Sequence, residues 1–363
     1  MQKLLHGIDR LKEALDGSRK ALLVCDSSFP FLSIKKDIEL MSVPYVTFDR
    51  VTPNPLYNDV CKGVDLFNVE ECDTIVVVGG GSSMDVAKCI KLYCRMERNS
   101  LYLQQPYKDT GVKLIAVPTT AGTGSESTRY AVIYYEGKKQ SVAHESIIPD
   151  FAILEPKVLK TLPLYQKKCT MLDALCQGIE SWWSVNSTDE SKRYSKIAVE
   201  TIMKHWRNYI FDNTDESAEQ IMTAANYSGR AICITQTTAP HAFSYKITSL
   251  YNYPHGHAVA VCLPEIWQYM LDNLGKCIDN RGRDYLSDIF VSIAKSMGAF
   301  TPEMAIEEFR RMMAEMEMVN PIANDREKEV DLLSSSVNPI RLKNNPIELG
   351  DIAISSIYHK IIN

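Results

Sequence analysis

The sequence predicts an α/β first half, a parallel sheet with flanking helices, joined to an all-α second half. Apolar runs without polar alternation recur at residues 21–25, 43–48, 74–78 and 114–117. Such runs suit strands buried on both faces, as in a parallel sheet covered by helices. After Leu162-Pro163, β-branched runs become scarce. Apolar residues then fall at helical spacing over 171–183, 194–209, 218–233 and 286–297. A segregated helical half after an α/β half reads as two domains, 1–162 and 163–363, with the boundary near Thr161 to Tyr165.

The elements follow in order. Residues 1–20 form an amphipathic segment of mixed charge, without the apolar core and cleavage site of a signal peptide. The run at 21–25 ends at Asp26. The run at 43–48 leads into Pro53-Asn54-Pro55. The strongly β-branched run at 74–78 enters three glycines, and the run at 114–117 is closed by Pro118. Glycines and prolines at these ends mark loops.

Composition narrows the function classes. Of 363 residues, 45% are hydrophobic and 23% charged, which is ordinary for a globular chain and excludes disorder. The net charge is −5, so no basic excess is available for nucleic acid. No apolar run approaches the ~20 residues needed to span a bilayer, and a cytoplasmic location is expected. The ten cysteines form no Cys-x-x-Cys pair and read as small buried hydrophobes rather than a zinc site or disulfide frame.

Two loops carry candidate chemistry. Val77-Val78-Gly79-Gly80-Gly81-Ser82-Ser83-Met84-Asp85 follows a strand and opens a helix. It departs from G-x-G-x-x-G. Its glycines nevertheless allow close backbone approach, and free N–H groups at a helix start attract an anion. Ser82 and Asp85 read as a Ser-x-x-Asp cap; a plain capped glycine turn is the alternative. The second loop, Val117 to Glu126, presents Thr119, Thr120 and Thr123 with two glycines at another strand end. Two such loops favour a nucleotide crevice. Asp26 would accept hydrogen bonds from ribose hydroxyls and repel a 2′-phosphate, which leans toward NAD over NADP.

A metal constellation lies in the second half. Asp173 and Gln177 are four apart and share a helix face. His241 opens another helical stretch, and His255 follows fourteen residues later, in Tyr253-Pro254-His255-Gly256-His257. A carboxylate plus two imidazoles suits a divalent first-row ion such as ferrous iron or zinc. Spacing alone leaves surface or core histidines as the alternative.

Together these residues resemble the iron-containing, or group III, alcohol dehydrogenase family. The likeness runs through Pro53-Asn54-Pro55, Gly79 to Lys88, Pro118 to Glu126, Lys139 with Pro149-Asp150, and Asp173-Ala174-Leu175. It continues through His241, Pro254-His255-Gly256 and Asn338-Pro339 with Arg341. It implies an N-terminal NAD(P)-binding α/β domain and a helical metal and substrate domain. It implies a cofactor site of Asp26, Asn54, Gly80, Gly81, Ser82, Asp85, Thr119, Thr120, Thr123 and Lys139. It also implies a metal held by Asp173, His241 and His255, with Gln177 standing where the family carries His. Tyr245 likewise stands where many members carry His, so Tyr245, His257 or water would deliver the proton.

Residues 173–177 and 183–188, with Arg341 to Pro346, resemble a branch of phosphonoacetaldehyde reductases. A phosphonate would need cationic partners, for which Arg341 and Lys343 are candidates. The expected activity is hydride transfer between a nicotinamide and a small aldehyde or alcohol polarised by Fe(II) or Zn(II), in a homodimer. Two rivals stay open. One is another chemistry on the same fold, a polyol dehydrogenase or a dehydroquinate synthase-like lyase. The other is a non-catalytic nucleotide-binding descendant.

Overall fold

The computed structural model describes residues 2–363. The chain divides into two compact units, Met1–Leu162 with Thr214–Met222, and Pro163–Asn213 with Thr223–Asn363.

In the first unit the strands are β1 (Lys3–His6), β2 (Ala21–Cys25), β3 (Tyr45–Phe48), β4 (Thr74–Gly79), β5 (Lys113–Pro118), β6 (Tyr130–Tyr135), β7 (Lys138–Ala143) and β8 (Phe151–Leu154). Six form one sheet in the order β1-β8-β5-β4-β2-β3, with every pair parallel, and β6 and β7 make a separate antiparallel hairpin. The helices are α1 (Leu11–Ala14), α2 (Lys35–Glu39), α3 (Tyr57–Val69) and α4 (Gly81–Tyr93). All residues of β2 and β4 are buried, which explains their unbroken apolar runs. Ile75, Val77, Leu114 and Ala116 pack with Val60, Val64 and Phe67 of α3 and Met84, Ala87 and Ile90 of α4.

The chain runs from β2 out to β3, then returns to β4 on the other side of β2. This reversal makes a switch point between β2 and β4, where open α/β sheets bind ligands at their strand carboxyl ends. Asp26 and the three glycines leave the sheet at those ends.

Three features differ from the sequence expectation. The segment before β2, read only as amphipathic, supplies edge strand β1, a short helical turn and α1. Only Leu5 of β1 is buried, so the strand lacks the apolar run that marks its neighbours. The β6–β7 hairpin has polar residues on its outer strand, and β8 is only four residues long, so neither announces itself in the pattern.

The second unit is helical. It contains α5 (Leu164–Trp183), α6 (Asp189–Arg207), most of α7 (Asp215–Thr235), α8 (Ala239–Tyr251), α9 (His255–Asp272), α10 (Arg283–Ser296), α11 (Pro302–Glu315), α12 (Arg326–Ser336), α13 (Pro339–Leu342) and α14 (Asp351–Ile361). Helix α5 packs on α6, α9 and α10 and is buried on every side from Met171 to Trp183. An apolar stripe alone would not do this; a helix buried all round belongs at the centre of a bundle. Trp183, Trp267 and Phe290 form an aromatic knot with centroids 5.5 to 6.2 Å apart. Thr188 and Ser191 form a capping box that starts α6. The cysteines are free and most are buried. No helix among the described residues is long and apolar enough to cross a membrane.

Candidate cofactor loops and metal centre

The glycine loop works by leaving donors open. Helix α4 has Gly80 as its N-cap and no side-chain cap. This corrects the expected Ser82–Asp85 cap. The helix begins one residue before Ser82, and Asp85 faces elsewhere. Its oxygens accept from the Ser125 hydroxyl at 3.2 Å and the Val132 N–H at 3.0 Å. Burial pushes the Asp85 carboxyl up to about 6, against the pull of Lys88. Lys88 is fully buried and donates to Ser125 Oγ, Thr128 Oγ1 and the Tyr130 carbonyl at 2.8 to 3.0 Å. Asp85 and Lys88 therefore fix the second loop and the hairpin against α4, leaving the first amides of α4 uncapped.

Asp26 is tied into this corner. One oxygen accepts from Ser28 N–H at 2.8 Å and its hydroxyl at 2.5 Å, and the other accepts from Ser83 Oγ at 2.9 Å. Gly79 has to be glycine, because a Cβ there would overlap the Ser83 hydroxyl and lie 3.0 Å from Asp26 Oδ2. A Cβ on Gly81 would meet Thr123 Cγ2 at 3.1 Å. Gly80, Gly81, Ser82, Thr120 and Thr123 are half-buried around this corner, with Thr119 buried beneath. Asn54 sits in an exposed left-handed turn, φ 57°. The Leu56–Tyr134 bridge and the Tyr134–Lys139 register bring that turn beside Lys139. Uncapped N–H groups at a glycine-lined helix start fit a dinucleotide pyrophosphate.

The metal residues come from three helices of the second unit. Asp173 and Gln177 lie on α5, His241 in the first turn of α8, and His255 at the start of α9. Ligating atoms of Asp173, His241 and His255 lie within 4.8 Å of one another. Their convergence depends on Gly256. A Cβ there would collide with the Cys169 carbonyl and sit 2.9 Å from Asp173 Cβ, so only glycine lets α9 start this close to α5.

Sequence reasoning missed Glu180. This wholly buried carboxylate accepts from His241 Nδ1, and from the Thr238 N–H at 2.7 Å and hydroxyl at 3.0 Å. Trp183 Nε1 donates to the same Thr238 hydroxyl at 2.8 Å. With Nδ1–H held by Glu180, a neutral His241 would present its Nε2 lone pair to Asp173 Oδ1, 3.3 Å away. Neither of these two buried acceptor atoms has a hydrogen-bond partner, and neither does Gln177 Oε1. Buried acceptors facing one another are costly unless a cation joins them.

The electrostatics agree. Burial opposes charge on His241, yet Glu180 and Asp173 raise its pKa to about 9. Burial would push the Asp173 carboxyl up, but His241 and His255 hold it below the usual carboxylate range. The pocket therefore favours a positive charge between Nε2 and Oδ1, a proton in the metal-free protein or a metal ion in its place. Its donor set, one carboxylate, two imidazoles and an amide oxygen, fits a divalent first-row metal.

Of the two residues considered for proton delivery, His257 is locked. Its Nε2 donates to the Val319 carbonyl at 3.0 Å and its Nδ1 accepts from the Tyr165 hydroxyl at 2.8 Å. Tyr253 stacks on its ring at 4.2 Å, and burial lowers its pKa to about 4. Both nitrogens are thus engaged in packing. Tyr245 stands one helical turn after His241, half-buried, with its ring parallel to that of His255 at 5.9 Å. Arg341 lies on α13, which packs on α8.

Two family models cover this architecture. Residues 4–156 match iron-containing alcohol dehydrogenase, and residues 168–362 match the C-terminal domain of the Fe-containing alcohol dehydrogenase family. The chain belongs to the iron-containing alcohol dehydrogenase family. That family comprises oxidoreductases that use NAD and a divalent metal, acting on small alcohols and aldehydes.

The chain is 33% identical to phosphonoacetaldehyde reductase from Streptomyces viridochromogenes over 66% of its length, a match spanning 64% of that enzyme. It is 30% identical to NAD-dependent methanol dehydrogenase from Bacillus methanolicus, over 72% of this chain and 71% of that enzyme. The fold matches sulfoacetaldehyde reductase from Bifidobacterium kashiwanohense in complex with NAD+, with TM-score 0.88 and 23% identity over 99% of this chain and 96% of that one.

Proposed function

We propose that this protein is an NAD-dependent, metal-containing aldehyde reductase acting on a small aldehyde that carries a phosphonate or sulfonate. The observation that carries the redox reading is the convergence of buried Asp173 and His241 with half-buried His255, where Asp173 Oδ1 and His241 Nε2 lack a hydrogen-bond partner. When bound, the nicotinamide supplies the hydride and the metal supplies Lewis-acid polarisation of the carbonyl. Asp173, His241 and His255 would hold the metal, with Gln177 as a weaker fourth donor through its amide oxygen. Glu180 orients His241 and fixes its tautomer. Tyr245, stacked beside His255, is the proposed proton donor to the developing alkoxide, since both ring nitrogens of His257 are engaged.

Residues 1–162 would bind NAD and residues 163–363 would hold metal and substrate. Asp26 supports NAD over NADP, since a carboxylate at the end of β2 repels a 2′-phosphate. Likeness to enzymes of phosphonoacetaldehyde and sulfoacetaldehyde supports an anionic substrate. Arg341 is its candidate partner; the residue is half-buried, and its guanidinium makes no ion pair or side-chain hydrogen bond among the described residues. We further propose a cytoplasmic homodimer, with the open outer edge of β1 offering a second copy a strand to pair with.

The test is NADH and NADPH oxidation over a panel of charged and neutral aldehydes, with metal analysis of the same preparation. Activity with NADH that follows metal content is expected. Full activity in metal-free protein, indifferent to His255→Ala, would overturn the reading.

A further inference from the structure

Two segments, 184–187 and 341–346, meet in the second unit, although about 150 residues separate them in sequence. The Val185 N–H donates to the Asn344 carbonyl at 3.1 Å. Asn186 Nδ2 donates to Asn344 Oδ1 at 3.0 Å. Asn344 Nδ2 in turn donates to Gln236 Oε1 at 3.1 Å and the Thr237 carbonyl at 3.2 Å. Every hydrogen-bonding group of the Asn344 side chain except one lone pair is thereby used.

The far side of this clamp is the link from α7 to α8. Gln236 is held there in the left-handed region, φ 60°, a conformation that a non-glycine residue keeps only where its surroundings impose it. Thr238 follows, bonded to Glu180, and then His241. The near side is the segment that carries Arg341. The segment is pinned again where Ile278 N–H donates to the Pro346 carbonyl at 2.9 Å. A free guanidinium recognises an anion well only when its backbone is held, because ordering the arm otherwise offsets the charge-assisted bonds it makes.

We infer that Asn344 is a specificity-determining positioning residue: it holds the 341–346 segment against the start of α8, so that Arg341 is set to receive the anionic group of the substrate. This rests on the proposed anionic-aldehyde reading and goes beyond it, by naming the residue that makes Arg341 effective.

The test is steady-state kinetics of the metal-loaded enzyme with phosphonoacetaldehyde, sulfoacetaldehyde and neutral propionaldehyde. Asn344→Ala should raise KM for the charged aldehydes about tenfold, with kcat and the propionaldehyde KM within twofold. That magnitude follows from losing roughly one net polar interaction. Asn186→Ala removes a partner of the clamp without altering the segment, and should give the same split in smaller measure. Arg341→Ala should abolish the preference for charge. The larger effect on phosphonoacetaldehyde or on sulfoacetaldehyde identifies which head group is read.

A wild-type enzyme indifferent to substrate charge overturns the substrate reading and this inference together. A discriminating wild type with an unchanged Asn344→Ala variant overturns the inference alone. So does an equal loss on charged and neutral aldehydes, which would make Asn344 a support for α8 rather than for Arg341.

Discussion

Glu180 and Gln177 act on the proposed metal pocket in opposite ways. Glu180 accepts from His241 Nδ1 and so delivers Nε2 to the pocket, whereas Gln177 brings a neutral amide oxygen where imidazole would bind more strongly. Replacing Glu180 by Gln leaves the shape but weakens the carboxylate–imidazole bond. Metal affinity should fall by about 10- to 100-fold, as for other partners of ligating histidines. Competition for zinc with a chromophoric chelator measures this, and unchanged affinity would deny Glu180 its orienting role. In the same titration, Gln177→His should raise affinity, because the substituted ring stands one turn from Asp173 on the same face of α5. A fall would show that Gln177 Oε1 points away from the ion.

Helix starts do much of the positioning. The first turn of α9 passes so close to Asp173 that Gly256→Ala must push the two helices apart. Overpacking of this kind costs about 1–3 kcal/mol. The variant should melt at a lower temperature and lose bound metal, and a variant with full metal content would argue that the helices yield elsewhere. At the start of α4, Gly81→Val places a branched side chain among the uncapped amides and against Thr123. NADH binding, followed by fluorescence, should weaken at least about tenfold, since a backbone approach to phosphate has no room for a side chain.

The glycine and threonine loops were legible as short contiguous motifs, whereas Asp173, His241 and His255 stood out only through the family resemblance, because spacing alone left core or surface histidines open. Glu180 was not legible, because a carboxylate inside an apolar helix reads as a solvent-facing residue until its partners at Thr238 and His241 are known. The engagement of both His257 ring nitrogens was equally hidden. It turns on Tyr165 and Val319, which lie 92 and 62 residues from His257. Strand β1 escaped notice because an edge strand with one buried residue carries no periodicity to detect.

At the scale of the molecule, the cofactor loops and the metal residues belong to different compact units. Stripping the metal with chelator should therefore abolish aldehyde reduction while leaving the NADH dissociation constant within about twofold, and adding zinc or ferrous ion should restore turnover. A parallel loss of NADH binding would show that the metal orders the first unit as well.

The first unit is also discontinuous in the chain. It includes Thr214–Met222, whose Ala218, Ile221 and Met222 are buried and whose Asp215 pairs with Lys160 at 2.8 Å. Gene shuffling between relatives meets this directly. A chimera joined once, after residue 162, would pair the sheet-containing unit with a foreign patch of its own core. A sound exchange has to carry both segments, so the two halves of this enzyme are inherited as an interleaved pair rather than as interchangeable cassettes.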